Sequence, residues 1–160
     1  MKTKNYWLLK TEPDTFSIDD LKKVKKEDWT GVRNFQARNF MRDGMQVGDE
    51  CFFYHSSCEV PGIAGLCRIS KVNVVDKLQF DKKSEYFDPK SKTEKPTWIC
   101  VEVEFVKKFD KVISLTEIKE LAKSEKDLLN MRLLLPGSRL SVQPVQPSEY
   151  KCISKRFGLL

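Results

Sequence analysis

The chain has 160 residues, 40% of them hydrophobic, which excludes a disordered tail and suits one domain spanning residues 1–160. Lys and Arg number 29 against 23 Asp and Glu, a formal charge of +6 that favours an anionic partner such as nucleic acid, although a solvated basic surface has the same composition. The five cysteines form no Cys-x-x-Cys pair and the chain has one histidine, which excludes the usual zinc spacings and leaves reduced, buried thiols.

Tyr6 to Thr11 reads as a first strand, with Trp7 and Leu9 on one face and Tyr6, Leu8 and Lys10 on the other. The segment MKTKNYWLLKTEP has too short an apolar stretch for a signal peptide, and no apolar run is long enough to span a bilayer. A soluble, intracellular protein without a membrane partner is expected. Ser17 with Asp20 forms a helix-starting capping box, Phe16 and Leu21 a hydrophobic staple, and Ile18, Leu21 and Val24 the buried stripe. A second helix is expected from Asn34, with Ala37, Phe40 and Met41 inward, Arg38 and Arg42 on one side, and Gly44 as its stop.

Glu50 to Ser56 alternates as a strand, and Pro61-Gly62 turns the chain into another from about Ile63 to Val74. Phe80 to Lys95, rich in Lys, Ser, Asp and Pro, reads as a long mobile loop. Ile99 to Phe105 alternates as a strand with one wet face, and Ser114 with Glu117 opens another capped helix. A short helical turn is expected near Leu128 to Met131. Pro136-Gly137 then leads into Arg139 to Pro144, with Leu140 and Val142 inward and Arg139, Ser141 and Gln143 outward. Pro147 suits the first turn of a terminal helix with Tyr150, Ile153 and Phe157 inward. Short strands among helices predict an α+β fold, most simply a small curled sheet or barrel with peripheral helices.

Three stretches have unusual composition. In Trp29 to Arg42, Gly31 permits close backbone approach, a helix start offers free N–H groups, and Arg33, Arg38 and Arg42 suit an anion. Phe52 to Ser56 offers aromatic faces and His55 beside Pro61 to Gly65; the same alternation is what a core strand shows. Arg139, Ser141 and Gln143 form either a base-edge reader or a plain solvent face. No Gly-rich phosphate loop, Gly-x-Ser-x-Gly elbow or His-Glu-x-x-His motif occurs, so no catalytic residues are assigned.

YWLLKTEP, FSIDDL, WTGVRNFQARNFMR, GDECFFYHS, PGIAGL, YFDPKS, a Trp98-centred strand and RLSVQPV occur in the order found in EVE domains. From Tyr6 to about Phe157 the chain resembles that family. The resemblance implies a PUA-like fold, a curled β-barrel with flanking helices, with no cofactor, no metal and no reaction. It implies a nucleic-acid-binding module, DNA favoured over RNA, that reads a modified base flipped into an aromatic pocket, with 5-substituted cytosine the expected base. The implied pocket draws on Trp7, Lys10, Trp29, Val32, Arg33 and Asn34, with Arg38 among the groups holding phosphate. It further draws on Phe53, Tyr54, His55, Ser56, Ile63, Ala64, Trp98, Arg139, Ser141 and Gln143. Phe35 stands where relatives often carry Tyr, and no long basic tail precedes the domain. That favours a cytoplasmic setting, or a nuclear one if the source is eukaryotic.

Two alternatives remain at this point. One is a PUA-like RNA binder without modified-base preference. The other is a small amidohydrolase acting on modified cytidine, which in PUA-like relatives uses Lys, Thr and Glu. Lys10, Thr11 and Glu12 are adjacent, but strand neighbours point to opposite faces.

Overall fold

The computed structural model describes residues 4–159, so residues 1–3 and 160 of the expected 1–160 domain lie outside the described residues. The strands are β1 (Tyr6–Thr11), β2 (Lys26–Asp28), β3 (Glu50–His55), β4 (Gly62–Val75), β5 (Ile99–Ser114) and β6 (Val142–Val145). The helices are α1 (Ile18–Val24), α2 (Phe35–Asn39), α3 (Leu115–Ala122) and α4 (Pro147–Arg156). A π-helical turn over Phe40–Gly44 extends α2, and short 3₁₀ turns occur at Lys77–Phe80, Lys126–Leu128 and Arg132–Leu134.

The strands join one six-stranded mixed sheet in the order β2-β5-β4-β3-β1-β6. β1 runs parallel to β3, and the remaining pairs are antiparallel. This corrects the expected barrel. The fold is α+β with flanking helices, but the sheet stays open, with β2 and β6 as its edges. β2 is three residues long and pairs with β5. β6 contains Pro144, which has no N–H to offer a further neighbour, so the strand suits an edge.

Helices cover both faces of the sheet. Alternation along β1 sends Trp7 and Leu9 into one apolar cluster and Leu8 into the other. The first cluster packs Ile18 and Leu21 of α1, with Ala37 and Met41, against Phe53, Cys67 and Val101. The second packs Ile118 and Leu121 of α3, with Tyr150 and Ile153 of α4, against Phe52 and Ile63. β3 is therefore buried on both sides, unlike a strand with one wet face.

Both capping boxes form as their sequences dictate. Ser17 accepts from the Asp20 N–H and Ser114 from the Glu117 N–H, each with the reciprocal carboxylate bond. Pro147 opens α4. Val24, expected inward, is 50% exposed because α1 ends there and Lys25 turns at φ 73°. The expected loop over residues 80–95 is tied down rather than free. Buried Gln79 donates to the Asp76 and Trp98 carbonyls at 2.7 and 2.8 Å and accepts from the Trp98 N–H at 3.0 Å. Trp98 Nε1 then donates to Asp88 Oδ2 at 2.8 Å, which pins the loop's middle.

Candidate nucleic-acid interface

The connection from β2 to α2 is built around one carboxylate. Trp29 continues the β2 ladder by donating its N–H to the Val101 carbonyl at 2.8 Å. Gly31 follows at φ +86°, and its N–H donates to Asp76 Oδ2 at 2.9 Å. Arg33 Nη1 donates to the same oxygen at 2.9 Å, and the Leu78 N–H donates to Asp76 Oδ1 at 2.9 Å. Arg33 Nε reaches across to the Tyr86 carbonyl at 2.9 Å. Its guanidinium carbon lies 5.5 Å from the Tyr86 ring centroid and 5.0 Å from that of Trp98, within cation–π range. Asp76 thereby carries the Tyr86 loop to the Trp29–Arg33 segment. Gly31 allows the close approach, since a Cβ there would lie 3.1 Å from the Tyr86 ring.

These segments enclose a cleft of about 490 Å³ at the C-terminal end of β1, lined by Lys10, Thr11, Glu12, Thr15, Trp29 to Arg33, Glu85, Tyr86 and Ser141. A hollow of about 280 Å³ adjoins it, sharing Thr11, Thr15, Trp29, Thr30 and Tyr86. The cleft is of a size that takes a small ligand. Trp29, 7% exposed, stands edge-on to Phe53 with centroids 5.6 Å apart, so most of it is core and a remainder forms the wall. Lys10 is half-buried with its ammonium 5.6 Å from the Tyr54 ring, and burial pulls its pKa below the ordinary lysine value. The Arg33 charge is matched by Asp76, whereas the exposed Glu12 and Glu85 form no ion pair among the described residues. A larger hollow of about 700 Å³ beside α4 is lined by Glu125, Asp127, Ser148, Lys151, Cys152, Lys155 and Arg156. Without a ring it offers a base nothing to stack on.

Of the residues nominated from sequence, Lys10, Trp29, Val32, Arg33 and Ser141 meet at the cleft. Trp7 does not: it is buried, with Nε1 donating to Asp49 Oδ2 at 2.9 Å. Phe53, Ile63 and Ala64 are core, because both sheet faces are covered. Tyr54 is buried on the face opposite Trp29 and nears the cleft through Lys10. His55 Nε2 accepts from the Ile18 N–H at 3.1 Å, and the Ser56 N–H donates to the Thr11 carbonyl at 2.9 Å, so both brace the entry to α1. Asn34 caps α2 by accepting from the Ala37 N–H at 3.0 Å. Trp98 is buried and stacks on Phe35, while Arg38 donates to the Thr97 carbonyl at 2.9 Å. Arg139 is exposed outside the cleft. Gln143 is 1% exposed and donates to the Leu140 carbonyl at 2.8 Å, so it is inward, not part of an outward face.

Sequence reasoning misses Thr15, Thr30, Glu85 and Tyr86. For Tyr86 a signal exists: Tyr86-Phe87 is an aromatic pair inside an otherwise polar loop, and it lies in the YFDPKS motif. Lys10, Thr11 and Glu12 all reach the cleft despite strand alternation, because β1 ends at Thr11. The Thr11 hydroxyl is committed to the Phe16 carbonyl at 3.0 Å. Among the described residues, no group of three or more His, Cys, Asp or Glu could hold a metal ion, and no helix is long and apolar enough to cross a membrane.

The sequence profile of the EVE domain matches residues 5–156. The chain belongs to the EVE-domain family. Human thymocyte nuclear protein 1 is 43% identical to this EVE domain over 91% of the chain and 71% of the relative. A solved protein from Pseudomonas syringae is 46% identical, with a TM-score of 0.87, covering 94% of this chain and 98% of its own. The human THYN1 protein, solved in complex with 5-methylcytosine-containing DNA, is 41% identical with a TM-score of 0.88, covering 95% and 96% respectively. The relatives also correct the expected cytoplasmic setting. Those from human, mouse, zebrafish, rat and chicken are all named as nuclear proteins, which points away from the cytoplasm.

Proposed function

We propose that this EVE domain binds nucleic acid, DNA in preference to RNA, and reads a 5-substituted cytosine flipped into the cleft beside Trp29 and Tyr86. One observation carries the reading: rings from two separate segments converge with Lys10 and Ser141 around a hollow of about 490 Å³. The 41% identical human THYN1 protein in complex with 5-methylcytosine-containing DNA supports the choice of base and polymer.

Rotating a nucleotide out of a duplex costs a few kcal/mol. Stacking the base on an aromatic face offsets roughly 1–3 kcal/mol of that. The base edge supplies the rest. Cytosine offers an amino donor, which the carboxylate of Glu12 or Glu85 accepts, and ring acceptors, which Lys10 and Ser141 serve. A fitted methyl-sized group at C5 contributes about 1–3 kcal/mol. Arg38, whose guanidinium has neutral partners, together with loop lysines, holds phosphate in a salt-dependent way. Arg42 contributes less, because Asp43 pairs with it at 2.8 Å.

The reading assigns the chain no reaction, and N4-acetylcytidine incubated with it should be recovered unchanged. The test of the reading is titration of otherwise identical oligonucleotides carrying cytosine or its methyl, hydroxymethyl, formyl or carboxyl derivative. Unequal affinity across the set is expected; equal affinity removes the reading.

A further inference from the structure

Phe35 is the first residue of α2 and is 58% exposed. Every other aromatic side chain among the described residues is buried or half-buried. The ring is nevertheless held rigidly. It stacks on buried Trp98 with centroids 4.9 Å apart and planes 20° apart. The Arg38 guanidinium carbon lies 4.9 Å from its centroid. Trp98 in turn carries Arg33, which belongs to the cleft wall. Tyr86, Arg33, Trp98 and Phe35 thus form one layered run from the cleft to the surface, ending in a bare apolar ring.

A cation stands beside that ring. Arg38 spends its N–H groups on the Thr97 carbonyl and on Asn39 Oδ1, both neutral, and forms no ion pair among the described residues, with Asp43 acting on it only through space. Lys92 and Lys95 are exposed and bridge one another just before Thr97 in the chain. An apolar ring flanked by the Arg38 guanidinium and joined to the cleft through Trp98 and Arg33 suits a base stack between phosphates better than an apolar protein pocket.

We infer that Phe35 enters the duplex next to the flipped nucleotide and stacks on the base that the flip leaves uncovered. The inference rests on the base-flipping reading of the cleft. Apolar side chains that wedge between base steps lower the cost of unstacking them. The wedge and the cleft share one rigid support, so a duplex docked on Arg38 and the loop lysines presents its target nucleotide to Tyr86 as Phe35 fills the gap.

The experiment compares Phe35→Ala, Phe35→Trp and wild type on two probes: 5-methylcytosine in a duplex, and the same strand alone. Phe35→Ala should weaken duplex binding roughly tenfold, the size of one lost base–aromatic stack, and leave single-strand binding within about twofold. Phe35→Trp should restore the duplex affinity. An unchanged duplex affinity in Phe35→Ala, or an equal loss on both probes, overturns the wedge and leaves the ring to a protein partner or to non-specific stacking. Failure of the reading beneath it looks different: wild type itself then binds methylated and unmodified duplexes equally. The exposed position keeps the melting temperature of Phe35→Ala near wild type, so a large drop in the melt would assign the ring to the fold and overturn the inference.

Discussion

Arg33 and Asp76 meet at 2.9 Å with Asp76 almost wholly buried, and this contact joins the Trp29–Arg33 segment to the residues that follow β4. The same carboxylate oxygen accepts from the Gly31 N–H, and Arg33 in turn grips the Tyr86 carbonyl. The cleft wall therefore depends on a charge pair of which only Arg33 lines the cleft.

Replacing Asp76 by Asn keeps a similar shape and an acceptor for Gly31, but removes the ion-pair partner of the Arg33 guanidinium. Removing one member of a buried pair costs on the order of 3 kcal/mol, and here somewhat less, because the Arg33 side chain retains 20% exposure. Asp76→Asn should lower the denaturation midpoint and also weaken base binding through the Tyr86 loop. An unchanged midpoint would show that the pair does not support the wall.

Trp29 and Tyr86 separate fold from recognition. Trp29 is packed against Phe16 and Phe53, so Trp29→Ala should cost about 3–5 kcal/mol in stability and obscure any binding effect. Tyr86 is half-buried in a surface loop. Tyr86→Ala should leave the thermal melt nearly unchanged while removing about 1–3 kcal/mol of base affinity, read by titration with the methylcytosine oligonucleotide. Full affinity in Tyr86→Ala would remove that ring from the site.

How far the sequence carries this picture follows the range over which each signal acts. The boxes at Ser17–Asp20 and Ser114–Glu117 are local, and both form. Alternation in β1 and β3 correctly separates Leu8 from Leu9, but it tells sides apart without saying whether a side is covered. Phe53, Ile63 and Ala64, which the family resemblance implies as pocket residues, are core because helices cover both faces. β2, three residues long, shows no period at all. Whether the sheet closes depends on its two edges meeting, and no spacing encodes that. Tyr86 is placed by a bond from Arg33, far away in the chain, so only its ring inside a polar loop hints at it.

His55 supplies a pH signature. Its Nε2 accepts the Ile18 N–H at 3.1 Å, which requires the neutral ring, and burial lowers its pKa below the ordinary 6.5. The neighbouring Asp19 raises it and Lys108 lowers it, and those two pair with one another. The unfolded chain takes up its proton first as pH falls. Stability is therefore full above about pH 6.5 and is lost as pH drops below it towards the folded value. Melts between pH 5 and 8 should show this decline in wild type. His55→Gln keeps an acceptor without titrating, and the chain has no second histidine, so the decline below about pH 6.5 should flatten. A wild-type slope that survives in His55→Gln assigns it to another group.

The charge inside the cleft sets an order of preference among modified cytosines. Arg33 faces it but is matched by Asp76, so the remaining charged side chains are Lys10 on one side and Glu12 and Glu85 on the other. Two carboxylates against one ammonium disfavour a further anion, and a like charge brought into such a space loses affinity rather than gaining it. Carboxylcytosine should consequently bind more weakly than methyl- or hydroxymethylcytosine, at neutral pH where its substituent is ionised. Glu12→Gln with Glu85→Gln retains hydrogen-bonding groups of the same size and removes both charges. In that double variant the penalty against carboxylcytosine should shrink by roughly tenfold, about the 1.4 kcal/mol expected for relieving one modest charge repulsion. Lys10→Met should act in the opposite direction, deepening the penalty, because it removes the one cation left unmatched in the cleft. If carboxylcytosine binds the wild-type protein most tightly of the series, the substituent does not enter beside these carboxylates, and the base must lie the other way round in the cleft.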